Sequence, residues 1–263
     1  SSPLEWRHVL AGSTFVFFSM ATSYAFGLQI EWPLFIASAR CVVQLTVMGL
    51  VLENILNTDN VFLVLAMGCV FVVLAAVEIV YHKSKYRFVG MWPAVLLSIF
   101  VSCLAIGIVG NIFALDTRPF WDPYKFIPTL GMLVGNTMVS IAIAINSCTV
   151  QFRDRRECVE VQLAFGATRW ETAKPIVVEA IRAAMLPTIN SMSVMGLITI
   201  PGMMTGQILG GESPMSAIKY QQIIMFMVGA SASVGSIGSV LATVYTCIDA
   251  RHRLRLERVT STA

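Results

Sequence analysis

The chain has 263 residues, of which 56% are hydrophobic and only 13% are charged, and its formal net charge is +3. Soluble domains carry about 25% charged residues, so this composition excludes an ordinary soluble enzyme and indicates a membrane protein. The start of the chain lacks a signal-peptide pattern. The six cysteines form no CxxC pair, which argues against disulfides and against a zinc site.

About 20 apolar residues are needed to cross a bilayer, and seven segments of the chain meet that requirement. The pattern predicts an all-α, polytopic membrane protein with about seven transmembrane helices, one of them broken. We predict one transmembrane domain over residues 1–263, with a cytoplasmic segment at 151–180 inside it. The predicted spans are Val9–Leu28, Pro33–Leu52, Val61–Tyr81, Met91–Leu115, Ile127–Val150, the broken Ile181–Leu209, and Tyr220–Ile248.

Three polar segments hold thirteen of the 18 Lys and Arg residues: His82–Arg87, Gln151–Arg182 and the tail after Asp249. Basic loops lie preferentially in the cytoplasm. Seven spans place all three segments on one side of the membrane, whereas an even number would not. We therefore predict an N-terminus outside the cell or in a lumen, and a C-terminus in the cytoplasm.

Two charged residues lie inside predicted spans, Arg40 in the second and Glu78 in the third, at similar depth. An unpaired charge at that depth costs several kcal/mol, so we predict an intramembrane ion pair between them. A structural pair is favoured over a gating one. In the fifth span, Gly131 and Gly135 have the GxxxG spacing of a close helix-packing face. Small residues predict a second such face in the seventh span: Gly229, Ala232, Ser233, Ser236 and Ser239.

The segment Pro187–Gly211 is apolar enough to cross a membrane, yet it contains two prolines and five glycines. A helix broken at Pro201-Gly202 frees backbone groups that lipid cannot satisfy. The break therefore predicts the wall of a polar transport pathway, with a kinked, closely packed helix as the alternative. Thioethers nearby allow a soft-metal interpretation, although methionine in an apolar helix is usually a core residue. The predicted pathway residues are Asn136, Asn190, Ser191, Pro201, Gly202, Met203, Met204 and Gln207.

The stretch RDRRECVEVQLAFGATRWETAKP, between the fifth and sixth spans, predicts two helices joined by a turn. Gly166 permits a tight turn, and Thr168-Arg-Trp-Glu171 has the form of a capping box for the second helix. The first helix carries a charged start and a narrow apolar stripe, which suits either the membrane surface or a partner protein. The predicted contact residues are Glu160, Val161, Ala164, Phe165 and Gly166.

The motif EVQLAFGAT, from Glu160 to Thr168, is similar to the EAA loop of ABC transporter membrane subunits, which forms a coupling helix in a cleft of the ATPase. The resemblance implies that the cytoplasmic segment 151–180 is a coupling segment and that its predicted contact residues couple the chain to an ATPase. Further motifs join it: ARCVVQL, PTLGMLVGNTM, PTINSMSVMGLITIPGMMTGQILGG and DARHRL. Together they resemble the FetB family over nearly the whole chain. That family includes bacterial iron-export permeases and plant aluminium-tolerance membrane subunits, and the stretch RPFWDPYKFIPTLGM most resembles fungal members.

The resemblance implies a half-transporter, a dimeric permease that exports iron or another metal ion with a separate nucleotide-binding ATPase. No glycine in the chain precedes a lysine, so a GxxxxGK[ST] phosphate loop is absent. We therefore expect a non-enzymatic subunit with no bound cofactor and no nucleic-acid partner, with ATP used by the partner subunit. Asn190 stands where bacterial relatives have an aspartate, which removes a carboxylate from a cation site. The usual proline near the end of the EAA loop is also missing.

The sequence leaves other functions open. A self-sufficient secondary transporter or channel, a permease for a nucleotide sugar such as UDP-glucose, and a membrane scaffold without transport all fit the same residues. The metal, if there is one, and the membrane that holds the chain are not determined by the sequence.

Overall fold

The computed structural model describes residues 6–56, 60–117, 119, 121–249, 252–255, 257 and 259–261. The chain ends Ser1 and Ala263, to which the predicted topology refers, lie outside the described residues. The helices, in chain order, are α1 (Trp6–Phe26), α2 (Glu31–Leu56), α3 (Val61–Lys83), α4 (Met91–Ala114), α5 (Pro123–Asp154), α6 (Arg156–Ala164), α7 (Arg169–Val194), α8 (Gly202–Leu209) and α9 (Pro214–Cys247). Two short strands, β1 (Tyr86–Phe88) and β2 (Val259–Ser261), pair antiparallel.

The prediction of an all-α polytopic membrane protein is confirmed. Within the described residues, six helices are long and apolar enough to cross a membrane: α1 to α5 and α9. The broken element made of α7 and α8 corresponds to the remaining predicted span. α3 ends in a π-helical turn, and α4 contains two more.

The chain forms two compact units, Ser1–Asn60 and Val61–Ala263. The first unit is the pair of helices α1 and α2. Gly27, at φ +64°, turns the chain between them. The buried Ser23 hydroxyl donates to Glu31 Oε1 at 2.8 Å and accepts from the Ile30 amide at 3.3 Å. These bonds satisfy polar groups at the helix ends, which have no intrahelical partner.

The second unit is built on α5 and α9, the two longest helices, with α3, α4 and α7 packed against them. Both begin with an N-cap followed by proline at the first position: Asp122 accepts from the Tyr124 amide, and Ser213 accepts from the Ser216 amide. Proline is well tolerated there because the first helical N–H has no partner in any case. Both helix starts are therefore fixed locally.

Small residues bring α5 and α9 close together. A Cβ on Gly235 would lie 2.6 Å from the Thr137 Cγ2 atom, and the buried Thr137 hydroxyl donates to Ser231 Oγ at 3.1 Å. Within the described chain, no helix approaches the GxxxG pair of α5 as closely. A Cβ on Gly131 would meet only the Phe71 ring at 3.8 Å, and nothing lies within 4 Å of a Cβ on Gly135.

The three basic segments meet at one end of the second unit. β1 lies in the loop after α3 and pairs with β2 of the C-terminal tail, and Arg153, near the end of α5, stacks over the Tyr86 ring at 4.9 Å. A buried core joins α5, α6, α7 and α9 at this end and includes Phe152, Val159 and Ile176. The basic loops thus share one face, as the charge pattern predicts; which side of a membrane that face occupies stays a prediction.

Candidate functional site

The break in the sixth predicted span extends over more residues than Pro201-Gly202. α7 ends at Val194, and α8 begins at Gly202 with Pro201 as its N-cap. The turn between them satisfies part of its own backbone: the Ile198 amide donates to the Val194 carbonyl at 3.0 Å, and the Gly196 amide donates to the Thr199 carbonyl at 2.9 Å. Gly196 lies at φ +84°, a conformation that other residues rarely adopt.

A cavity of about 500 Å³ lies between this break and α9, and we call it the methionine cavity. α7 and the break contribute Met192, Met195 and Pro201, whereas α8 contributes Met204 and α9 contributes Met225. Its α9 wall is a single helical face, since the contributing positions follow helical spacing: Ile218, Gln221, Gln222, Met225 and Phe226.

Of the eight predicted pathway residues, Pro201 and Met204 line the methionine cavity. Gln207 lines a separate cavity of about 190 Å³, together with Lys125 and Glu212 among others. The other five lie outside the lining of both cavities: Asn136, Asn190, Ser191, Gly202 and Met203.

Three of those five are polar side chains exposed on the helices. Asn190 and Ser191 are exposed on α7, and Asn136 is exposed on α5, where its amide donates to the Met132 carbonyl at 2.8 Å. The structure therefore does not gather the predicted pathway residues into one site. Their role in transport stays a prediction.

Gln221 is the functional candidate that sequence reasoning missed. Its side chain is 4% exposed, and its Nε2 lies 4.0 Å from the Met195 sulfur. Its Oε1 is buried and has no hydrogen-bond partner within the described part of the chain. A buried polar atom without a partner is uncommon in folded proteins. The Gln221-Gln222 pair inside an apolar span was the available sequence signal.

The predicted ion pair between Arg40 and Glu78 stays a prediction, because the two residues belong to different units. Glu78 Oε2 lies 3.2 Å from His82 Nδ1, one turn further along α3. Among the described residues, no cluster of three or more His, Cys, Asp or Glu side chains could hold a metal ion.

The predicted helix–turn–helix between α5 and the broken span is present as α6 and the start of α7. Gly166, at φ +89°, makes the turn. The Thr168 hydroxyl accepts from the Glu171 amide, and the Glu171 carboxylate accepts from the Thr168 amide at 2.8 Å, as the capping box requires. Hydrogen bonds from the Thr168 side chain and backbone lower the pKa of Glu171.

α6 has an inner and an outer face. Val159 is buried and Leu163 packs against the core. Val161, Ala164 and Phe165, the predicted stripe, are exposed, and Phe165 is 89% exposed. The outer face therefore presents an apolar stripe that the described chain leaves uncovered.

Two ion pairs form at the start of α6. Arg156 pairs with Glu160 at 2.8 Å within the helix, and that hydrogen bond raises the pKa of Arg156. Arg155 pairs with Glu179 of α7 at 2.9 Å. Pairs between exposed side chains contribute little to stability, so the Arg155–Glu179 pair orients α6 against α7 rather than anchoring it.

The sequence of this chain is similar to those of a family of membrane proteins. Residues 6–248 match the model of the family described as Uncharacterised protein family (UPF0014). The chain is 30% identical over 227 residues to the probable iron export permease protein FetB of Escherichia coli (strain K12), with 86% of each chain covered. It is 31% identical to the protein ALUMINUM SENSITIVE 3 of Arabidopsis thaliana, with 85% of this chain and 80% of that protein covered. It is 34% identical to the UPF0014 membrane protein slr1647 of Synechocystis, with 83% and 84% covered. No solved structure gave a significant match.

Proposed function

The chain belongs to the UPF0014 family, and from that premise we propose that it is the membrane subunit of an ABC transporter that exports a metal ion. A separate ATPase subunit binds and hydrolyses ATP, and this chain supplies the pathway and binds no cofactor itself. Iron export appears in the name of the bacterial relative, and aluminium sensitivity in that of the plant relative. Both names support a metal ion as the cargo.

The observation that carries the proposal is the outer face of α6. Phe165 and Val161 are exposed next to the charged Arg156–Glu160 pair. A helix for the membrane surface needs a broad apolar face, whereas this stripe is narrow and bordered by charge. A short apolar stripe on a rigid helix suits a groove in a partner protein. The glycine turn and capping box then join that contact directly to α7.

A second copy of the chain completes the pathway in this proposal. Asn190 and Ser191 on α7 and Asn136 on α5 are exposed polar side chains in predicted membrane spans. The Asn136 amide donates one hydrogen bond, to the Met132 carbonyl, but exposing an amide or hydroxyl to hydrocarbon is still unfavourable. In this proposal these residues therefore face either another protomer or an aqueous pathway. A homodimer with the pathway at its centre satisfies both conditions.

ATPase co-purification from native membranes tests the proposal. We expect a nucleotide-binding protein to co-purify with the chain and to hydrolyse ATP faster when a transported metal is present. Metal flux in liposomes without any ATPase would instead support a self-sufficient transporter. Binding of a partner without any flux would support a scaffold.

Cysteine reactivity tests the pathway. The exposed cysteines Cys41, Cys69 and Cys158 are first removed. In that background we expect Asn136→Cys and Asn190→Cys to react with a water-soluble thiol reagent. The control is Leu97→Cys, at an exposed apolar position on α4. Reaction of the asparagine positions no faster than the control would place them in lipid and contradict the proposed pathway.

The proposed topology places the basic end of the second unit in the cytoplasm, with the N-terminus on the opposite side. Protease accessibility of tags at the two ends of the chain, in sealed vesicles of known orientation, measures this directly. Tags that become accessible together, from the same side, would contradict seven membrane crossings.

A further inference from the structure

The methionine cavity combines sulfur ligands from both sides of the helix break with one face of α9. Met195 lies at the start of the break and Met204 within α8, just after it, while Met225 lies about three turns into α9. Met192, at the end of α7, completes the set. Three chain segments therefore bring four thioethers to one cavity, an arrangement that close packing of an apolar core does not require.

The ligand chemistry of this cavity is soft and neutral. Thioether sulfur selects Cu(I) and related soft cations, whereas iron ions favour imidazole and carboxylate ligands and the hard aluminium ion favours oxygen ligands. Among the described residues that line the cavity, none is Asp, Glu, His or Cys. Nothing there offsets a high positive charge.

Ionic charge separates the possible cations further. The cost of moving an ion out of water rises with the square of its charge, so a divalent ion costs about four times as much as a monovalent one. A site of neutral ligands is therefore far better suited to a monovalent cation. Soft character and single charge together describe Cu(I) and its chemical analogue Ag(I).

Gln221 supplies an independent observation. Its side chain is 96% buried at the cavity wall, since only 4% is exposed, and its Oε1 accepts no hydrogen bond from any described residue. Its Nε2 lies 4.0 Å from the sulfur of Met195, so the amide is held beside a thioether. A buried acceptor without a donor is unfavourable unless a cation or a water molecule satisfies it.

We infer that the methionine cavity binds a soft monovalent metal cation of the Cu(I) class. The thioethers of Met192, Met195, Met204 and Met225 are the ligands, and the amide of Gln221 stabilises the bound charge. The inference deepens the proposed function, on which it rests for the claim that the bound ion is cargo. It implies that this chain prefers Cu(I) to iron and aluminium, the metals in the names of its relatives.

The test uses the full chain in lipid nanodiscs, labelled with selenomethionine, with its exposed thiols alkylated and Cu(I) supplied under anaerobic conditions. Selenium absorption spectroscopy reports only copper bound to methionine positions, so the cysteines do not contribute. We expect selenium–copper scattering and about one copper ion per chain that survives a tenfold excess of Fe(II). Absence of that scattering, or displacement of copper by Fe(II), would overturn the inference.

Variants locate the site. Met204→Leu and Met225→Leu nearly conserve volume, and each should weaken copper binding at least tenfold. The control is Met227→Leu, a buried methionine of the same helix that lies outside the cavity lining, and it should bind like the unaltered chain. Equal binding in all three would place the copper elsewhere and refute the site.

The soft-cation site and the ABC transporter proposal can be refuted independently of each other. Copper binding is measured on this chain alone, whereas the transporter proposal depends on ATPase co-purification. A chain that recruits an ATPase but binds no copper at methionine refutes only the soft-cation site. A chain that binds copper at these methionines but recruits no ATPase retains the site and refutes the ABC transporter.

Discussion

Phe165→Ala is the change that most directly tests how the chain contacts a partner. The side chain is 89% exposed and lies at the C-terminal end of α6, next to the glycine turn. Removing an exposed ring should change the free energy of unfolding of the isolated subunit by less than about 0.5 kcal/mol. Any large effect must therefore come from a contact made only in the complex.

The size of that effect follows from area. A phenylalanine ring buries about 150–250 Å² when fully covered, which corresponds to about 4–6 kcal/mol at about 25 cal/mol per Å². Alanine retains part of that area, and a groove seldom covers a ring completely. We therefore expect a loss of about 2–3 kcal/mol, or roughly 30–150-fold in the dissociation constant for the ATPase.

Co-purified ATPase per permease and metal-dependent ATP hydrolysis are the quantities to measure. Phe113→Ala is the matched control, because Phe113 is 80% exposed but lies at the end of α4 distant from β1. Val159→Ala should lower the stability of the subunit, whereas Phe165→Ala should lower ATPase recovery and leave stability unchanged. Val159 is buried on the inner face of α6, so its truncation should destabilise the subunit by about 2 kcal/mol.

Equal ATPase recovery in Phe165→Ala and Phe113→Ala would refute the reasoning. The outer face of α6 would then be a surface helix without a partner, and the transporter proposal would rest on family membership alone. A loss of recovery together with a lowered melting temperature would also contradict it, since an exposed ring should not contribute to folding.

Two further predictions concern helix packing and pH. Gly235→Ala places a Cβ 2.6 Å from a methyl of Thr137 and should cost about 1–3 kcal/mol, seen as a lower melting temperature in detergent. Gly229→Ala, whose Cβ would meet nothing closer than 3.8 Å, should be neutral or slightly stabilising. The lowered pKa of Glu171 means that its cap stabilises α7 above the ordinary glutamate pKa, and that this contribution is lost as the pH falls through the lower folded value. Fluorescence of Trp170, isolated by difference from a Trp170→Phe chain, should change during acidification, whereas Glu171→Gln should abolish the transition.

Local features of the fold could be predicted from the sequence because they depend on neighbouring residues. The Thr168–Glu171 capping box needs only a four-residue pattern and a following helix, and the turn at Gly166 needs only a residue tolerant of positive φ. The membrane-crossing helices follow from length and composition. Each of these features is present in the structure.

Features that depend on contacts between helices distant in the sequence could not be predicted from local sequence patterns. α9 is apolar on nearly every side, so periodicity does not show which of its faces meets the helix break. Gln221 and Met225 share a face with Ile218 only because the break lies against it. For the same reason the GxxxG spacing does not show which glycines are covered: within the described chain Gly235 makes the close approach to α5, whereas Gly131 and Gly135 do not. The role of the GxxxG pair as a packing face stays a prediction.

α7 is the connection between the proposed docking face and the methionine cavity. It is continuous from Arg169 to Val194, 26 residues, or about 39 Å of helix. Its first half is anchored, since Ala173, Ile176 and Ala180 are buried against α5 and α9, whereas beyond Pro187 most side chains are exposed.

Pro187 lies where this packing ends, and proline removes a backbone hydrogen bond from a helix interior. In the proposed transporter, a displacement of the capped end by a docked ATPase would pass through a half-helix that contains Pro175 but is held by buried contacts. It would then reach a half that few contacts restrain. Met192 and Met195 lie at the end of that second half and line the cavity. In the proposed transporter, movement about Pro187 changes the spacing of these sulfur atoms from Met225 on α9. That change would alter the affinity for a bound cation without any hinge in α9 itself.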